Sequence, residues 1–246
     1  MSIIEPDIFS KILLIARPAA GKSEIIAYLK GLSQQERRDR FRIGRLREID
    51  DFPMLWTWFE EDRILEDLGH PRLHTDQEGY FKYIYLWDVL IRRICLEYHK
   101  LQKEETDLAE ESTVFLEFAR GREHGGFARA FEHLTQEVLE DLAVVYIDVS
   151  WEESLRKNRA RYNPERPGSI LEHGLADEKM KVLYRESDWE NVRAGNPEYL
   201  TIQGQRIPYA VFDNEEDYTT AGGEVLGKQL EKVFERLWDR KNKLQA

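Results

Sequence analysis

Two rhythms of hydrophobic and polar positions run along this chain. Nearly continuous apolar runs occur at Lys11–Ile15 (KILLI), Thr113–Phe118 (TVFLEF) and Leu142–Val149 (LAVVYIDV). Short runs of this kind, rich in leucine and β-branched residues, predict strands buried on both faces, as in the middle of a parallel sheet. Phe41–Leu46 (FRIGRL) alternates apolar residues or glycine with arginine and predicts another strand. It runs into an acidic corner, Glu48–Asp51, and Pro53 sets a break at Phe52. Tyr199–Ile202 and Ile207–Asp213 are short strand candidates around the turn Gln203–Arg206.

Between the strands the spacing lengthens to three and four. Tyr80, Tyr83, Ile84, Trp87, Leu90, Ile91, Ile94, Cys95 and Tyr98 make the longest such series and predict one broad helix face. A shorter helix over Met54–Leu68 precedes it, joined through Gly69–Gly79. Ser33-x-x-Glu36 is a capping box that opens a polar helix to Arg40, and Ser150-x-x-Glu153 is a second one. Further helices are predicted over 24–32, 127–140, 177–188 and 224–243. Tyr162–Ala176, rich in proline, glycine and charge, reads as a mobile surface segment. Strands alternate with helices, so the expected fold is α/β: three layers, a mostly parallel five-stranded sheet, helices on both faces.

Composition narrows the picture. With 246 residues and 41% hydrophobic content, the chain reads as one domain with a sizeable core. A net charge of −11 argues against a general nucleic-acid surface. The single cysteine, Cys95, cannot form an internal disulfide and lies on the apolar helix stripe, where inert core is its reading. No apolar run reaches membrane-spanning length, and the first residues carry Glu5 and Asp7 without a basic-plus-apolar leader. A cytoplasmic protein with no membrane partner is expected.

The chemistry starts directly after the first strand. Ala16-Arg17-Pro18-Ala19-Ala20-Gly21-Lys22-Ser23 follows G-x-x-x-x-G-K-[ST] except at its first position. A loop of this kind turns backbone N–H groups onto a phosphate and places the next helix's N-terminus against it. Gly21 lets the main chain approach closely, Lys22 supplies a point charge, and the Ser23 hydroxyl suits Mg²⁺. In parallel sheets ligands bind at the carboxyl ends of strands. Arg17–Ser23, Glu48–Asp51 and Glu117–Arg120 should therefore meet. Asp51, with Asp50 close behind, is the candidate to take a proton from an acceptor hydroxyl. Glu117 or Asp50 would join Ser23 at the metal. The acidic corner also reads as a solvated turn with a helix cap before Met54.

Trp56 and Tyr80 lie near predicted loops and either pack in the core or face a planar substrate. Arg72, Arg120 and Arg122 are candidates for a substrate phosphate or sugar. His70, His74 and His124 lack the spacing of a zinc site.

The loop resembles that of the P-loop kinases, and later residues are similar to those of nucleoside- and nucleotide-kinase-like members. Asp51-Phe52-Pro53 with Trp56 resembles the carboxylate, proline and tryptophan that follow the second strand in the deoxynucleoside-kinase-like group, with one residue inserted. Glu117-Phe118-Ala119-Arg120 resembles its acid–arginine pair, more loosely spaced. Leu155-Arg156-Lys157-Asn158-Arg159-Ala160-Arg161 matches its lid pattern L-R-x-x-R-x-R. The resemblance implies that Arg156 and Arg159 stabilise the transferring phosphoryl group, that 155–188 forms a lid, and that 52–111 is a helical acceptor-binding insert. It also implies that Tyr209–Asn214 touches the adenine base, with Asn214 or nearby backbone bonding it. Together these expectations describe a kinase using ATP and Mg²⁺ on a small acceptor, with nucleosides and nucleotides leading. A kinase of a sugar or polyol, or a nucleotide-binding regulator, is the alternative. The oligomeric state is left open, a homodimer included.

Overall fold

The computed structural model describes residues 7–161, 165 and 174–245. Six strands form one sheet: β1 (Lys11–Ala16), β2 (Arg45–Asp50), β3 (Ser112–Phe118), β4 (Leu142–Asp148), β5 (Tyr199–Ile202) and β6 (Gln205–Asp213), in the order β2-β3-β1-β4-β6-β5. Every pairing is parallel except β5 with β6. The expected five strands become six because β5 and β6 make a hairpin. Its turn, Gln203 (φ 49) and Gly204 (φ 80), puts both central residues in the left-handed region that a two-residue hairpin demands.

The helices are α1 (Lys22–Gly31), α2 (Gln34–Phe41), α3 (Asp51–Asp67), α4 (Tyr85–Glu104), α5 (Leu108–Glu111), α6 (Gly126–Glu132), α7 (Gln136–Leu139), α8 (Trp151–Arg161), α9 (Asp177–Tyr184), α10 (Trp189–Arg193), α11 (Tyr218–Ala221) and α12 (Gly223–Gln245). Alternating strand residues feed two cores. Leu13, Ile15, Leu116 and Val144 pack with Ile91 of α4 and Phe127 of α6 on one face. Ile12, Leu14, Phe115 and Val145 pack with Leu29 of α1 and Phe234 of α12 on the other. Among the described residues no helix is long and apolar enough to cross a membrane.

Several boundaries depart from expectation. The second strand begins at Arg45, four residues late, because Phe41 closes α2 as a buried helix residue and Arg42 (φ 58) caps it. β2 is an edge strand, so it tolerates Arg45 and Arg47, which pair with Glu105. The acidic corner is therefore not a loop: Glu48 and Asp50 belong to β2, and Asp51 opens α3. Pro53 does not break the chain there. It sits in the first turn of α3, where a missing N–H costs nothing. Asp50 caps the helix, accepting from the Phe52 N–H at 3.1 Å.

The long apolar helix starts at Tyr85; Tyr80 and Phe81 lie before it, with Phe81 bridged to Thr75. The helix expected over 127–140 is two, α6 and α7. That expected over 177–188 ends at Tyr184, and Asp177 is its first residue rather than its cap. Ser150 makes only half of its box: its Oγ accepts from the Glu153 N–H at 3.1 Å, while its own N–H goes to Glu215 at 2.7 Å. The segment read as mobile, Tyr162–Ala176, and with it the middle of the expected lid 155–188, lies outside the described residues apart from 165 and 174–176.

Candidate functional site

The carboxyl ends of β1, β2 and β3 come together. Leu14 is in register with Glu117, and Glu117 in turn with Asp50. Residues in register point to the same face, here the face covered by α1. A 2.5 Å ion pair between Lys30 of α1 and Glu48 of β2 fixes that cover.

Ala16, the position that departs from the glycine pattern, is fully buried as the last residue of β1 and opposite Ile147. The turn begins after it, so its methyl does not intrude. Within the loop, Ala19 (φ 57) and Gly21 (φ 116) take left-handed backbone. Gly21 is the N-cap of α1 and Lys22 its first residue. Lys22 is near enough to Asp50 and Glu117 to draw both carboxyls downward electrostatically. Burial outweighs it: with repulsion from Asp51 it pushes Asp50 up to about 6, and with repulsion from Asp50 it pushes Glu117 up to about 7. Glu117 is 4% exposed, and its carboxyl has no hydrogen bond among the described residues.

A buried polar network backs the loop. Asn214 Nδ2 donates to the Ala20 carbonyl at 2.9 Å and to Thr219 Oγ1 at 2.8 Å, and Asn214 Oδ1 accepts from the Thr219 N–H at 3.2 Å. Lys157 Nζ donates to Thr219 Oγ1 at 2.7 Å and to Asp217 Oδ1 at 2.5 Å. Thr219 lies so close to Gly21 that a Cβ there would fall 2.6 Å from its side chain. Asn214 is completely buried and its amide is committed to this network, so its side chain is not free to read a base.

The residues expected to act at the site separate into two groups. Lys22, Asp50 and Glu117 stand together at the loop, and Ser23 follows Lys22 in the first turn of α1, exposed. Asp51 is close in sequence but turned elsewhere: it forms a 2.6 Å ion pair with Arg120, both nearly fully buried. Arg120 also donates to the carbonyls of Ala119 (2.7 Å) and Trp87 (3.3 Å) and lies over the Trp87 ring. Neither member is free for a ligand. Arg17 donates to the carbonyls of Tyr184 (2.5 Å) and Arg185 (2.8 Å), tying the loop to the end of α9. Pro18 offers its carbonyl to Ser154 Oγ at 2.8 Å.

Of the α8 arginines, exposed Arg156 pairs with the largely buried carboxylates of Glu153 and Asp217, and Arg159 with Asp177 in an exposed pair. The one that reaches the loop is Arg161, 3.2 Å from Ser23 Oγ. Ser154, Lys157 and Arg161 recur at three and four residues along α8 and share its loop-facing side. That spacing was visible in the sequence, beneath the more prominent arginine pattern.

The remaining expected substrate residues lie around α3 and α4. Trp56 Nε1 bonds Glu60 at 3.1 Å, and its ring is 6.0 Å from Phe52. Tyr80 sits under Lys179. Arg72 is held by Glu66 and by Thr75 Oγ1, at the side of a cavity of about 500 Å³ whose lining contains no residue of Arg17–Ser23. His124 gave no sequence signal beyond its type. It is buried, stacked 3.7 Å from Trp87, and pushed down to about 3 by burial and by Arg120. Among the described residues no group of three or more His, Cys, Asp or Glu could hold a metal ion by itself. Two carboxylates and a hydroxyl are the donor set of a cation that also takes phosphate oxygens.

No family model matches the chain, and no curated protein matches it. Among solved structures it is similar to TT1252 from Thermus thermophilus, with a TM-score of 0.47, 15% identity, and coverage of 93% of this chain and 96% of that one. It is also similar to APE1195, with a TM-score of 0.39, 17% identity, and coverage of 94% and 98%. At such scores neither likeness bears on fold or function.

Proposed function

We propose that this chain is a P-loop phosphotransferase that moves the γ-phosphoryl group of ATP to a small acceptor, a nucleoside or nucleotide first among them. The observation that carries the reading is the placement of Lys22, at the N-terminus of α1 behind a left-handed Gly21, over the adjoining carboxylates Asp50 and Glu117. Backbone N–H groups of 19–23 and the lysine suit a β-phosphate. Mg²⁺, when bound, neutralises charge on the phosphate oxygens, and Ser23 with Asp50 offers it hard oxygen ligands. Asp51 is taken by Arg120, and Asp50 caps α3. Glu117 is the carboxylate left to accept the acceptor's proton. Arg161 supplies positive charge at the loop, and Arg159 joins it when its exposed, weak pair with Asp177 opens.

The acceptor class rests on aromatic rings gathered beside this end of the sheet. Trp87 lies 4.8 Å from Phe81, which lies 5.7 Å from Trp58. Trp87 is stacked on His124 and Trp58 on His74, so a planar base would meet a ring edge or displace one of these histidines.

Purified protein with Mg-ATP is to be screened against nucleosides, nucleotides and small alcohols. Product should form from a nucleoside or nucleotide, and Lys22→Ala should lower turnover by about 10²–10³-fold. Undiminished turnover in that variant overturns the reading.

A further inference from the structure

Lys157 is an unusual residue to find where it is. Lysine is almost never fully buried unless paired, and this one is 6% exposed on a helix with solvent along its other side. None of the roles given above uses it. Its ammonium spends two donors, one on Asp217 and one on Thr219, and both partners are themselves committed.

Asp217 takes left-handed backbone (φ 53), caps α11, and accepts from Arg156 as well. Thr219 is the junction: its hydroxyl meets Lys157 and Asn214, its N–H meets Asn214, and its side chain fills the space beside the Gly21 Cα. Asn214 then grips the Ala20 carbonyl. The chain of contacts runs from α8, through the segment after β6, to Ala20 and Gly21 of the loop, the second of which takes left-handed backbone. A phosphate-binding turn works by presenting N–H groups already aimed, so whatever holds Ala20 and Gly21 in place sets its grip.

We propose that Lys157 is a positioning residue for the phosphate loop: clamped to Asp217, it fixes Thr219 and Asn214 against Ala20–Gly21 and thereby sets the affinity for the β-phosphate. This rests on reading Arg17–Ser23 as a phosphate site. It also makes the start of α8 a fixed support rather than a moving lid, since Ser154 is bound to the loop as well.

The test is equilibrium binding of Mg-ATP, Mg-ADP and AMP to the full chain and to Lys22→Ala, Lys157→Met and Thr219→Val. Lys157→Met keeps the length of the side chain and removes its charge. Thr219→Val keeps the shape against Gly21 and removes the shared hydroxyl. Each should weaken ATP and ADP by about tenfold while AMP, which lacks a β-phosphate, changes less than about twofold. A role in general stability alone would lower all three together or none, and either result overturns the inference. If Lys157→Met does not fold by circular dichroism, Thr219→Val decides, together with Lys157→Met/Asp217→Asn, which strands no carboxylate. Loss of binding in Lys22→Ala with full ATP and ADP affinity in folded Lys157→Met and Thr219→Val overturns the positioning role and leaves the loop standing. Undiminished binding in Lys22→Ala overturns both.

Discussion

The loop end of the sheet and the α3–α4 pair beside it are built on opposite plans. Around the loop, buried polar groups answer one another: Asn214, Thr219, Lys157 and Asp217 close a network with no open member. Around α3 and α4, rings lean on rings, and Ile64, Leu68, Leu73, Tyr83, Ile84 and Tyr85 remain exposed. There His124 accepts from the Gly121 N–H through Nδ1, while its buried Nε2 has no partner among the described residues. A satisfied polar network specifies one geometry, whereas loose aromatic packing can adjust to what it meets. The first plan suits a constant ligand such as a polyphosphate. Under the proposed function, the second suits the acceptor.

The comparison can be broken at several points. The largest effect is expected from Glu117→Gln. If the loop end carries the chemistry, steady-state turnover should fall by about 10²–10⁴-fold with nucleotide affinity little changed. Equal turnover in Glu117→Gln would move the chemistry away from this end. The next effect is on stability, at the boundary between the two regions. Arg120→Met strands the buried Asp51 carboxylate and should cost about 3–5 kcal/mol in urea unfolding. Adding Asp51→Asn should return part of it, and a simple sum of the two losses would show that the pair is not coupled.

The smallest effect sharpens the α3–α4 side, where one fully satisfied carboxylate stands out. Burial would raise Asp62, but bonds from the Thr75 hydroxyl and the N–H groups of Leu73, His74 and Thr75 outweigh it and hold it down to about 2. A lowered carboxyl stabilises the fold above its unfolded value, near 4, and loses that contribution as pH falls from about 4 to about 2. Asp62→Asn should therefore cost about 2 kcal/mol at neutral pH, and the gap in thermal midpoint from the parent chain should close on acidification through that window. A gap that stays constant from pH 7 to pH 2 would assign the loss to shape alone.

What could be read in the sequence divides along the same line. The β1–loop–α1 unit depends on neighbours in the chain: five apolar residues, a glycine, a lysine and a serine in fixed order. It was legible for that reason, as were the Ser33 cap and the α12 stripe. The start of β2 was not, because Phe41 looked like its first apolar position, whereas Phe41 closes α2 as a buried helix residue and the strand begins at Arg45. The α8 face was misjudged as well. Arginines draw the eye, but exposed Arg156 and Arg159 find carboxylates nearby, and Ser154, Lys157 and Arg161 turn inward. The partnership of Asp51 with Arg120 joins residues 69 positions apart, and no local pattern announces it.

Ala16 carries a consequence for finding other chains of this kind. Its methyl is part of the sheet's centre, ahead of the bend, so the turn's left-handed positions fall later, at Ala19 and Gly21. A pattern search that insists on an opening glycine discards such loops at the letter where they have most freedom. Scanning for a buried strand followed, after four intervening residues, by G-K-S would retain them.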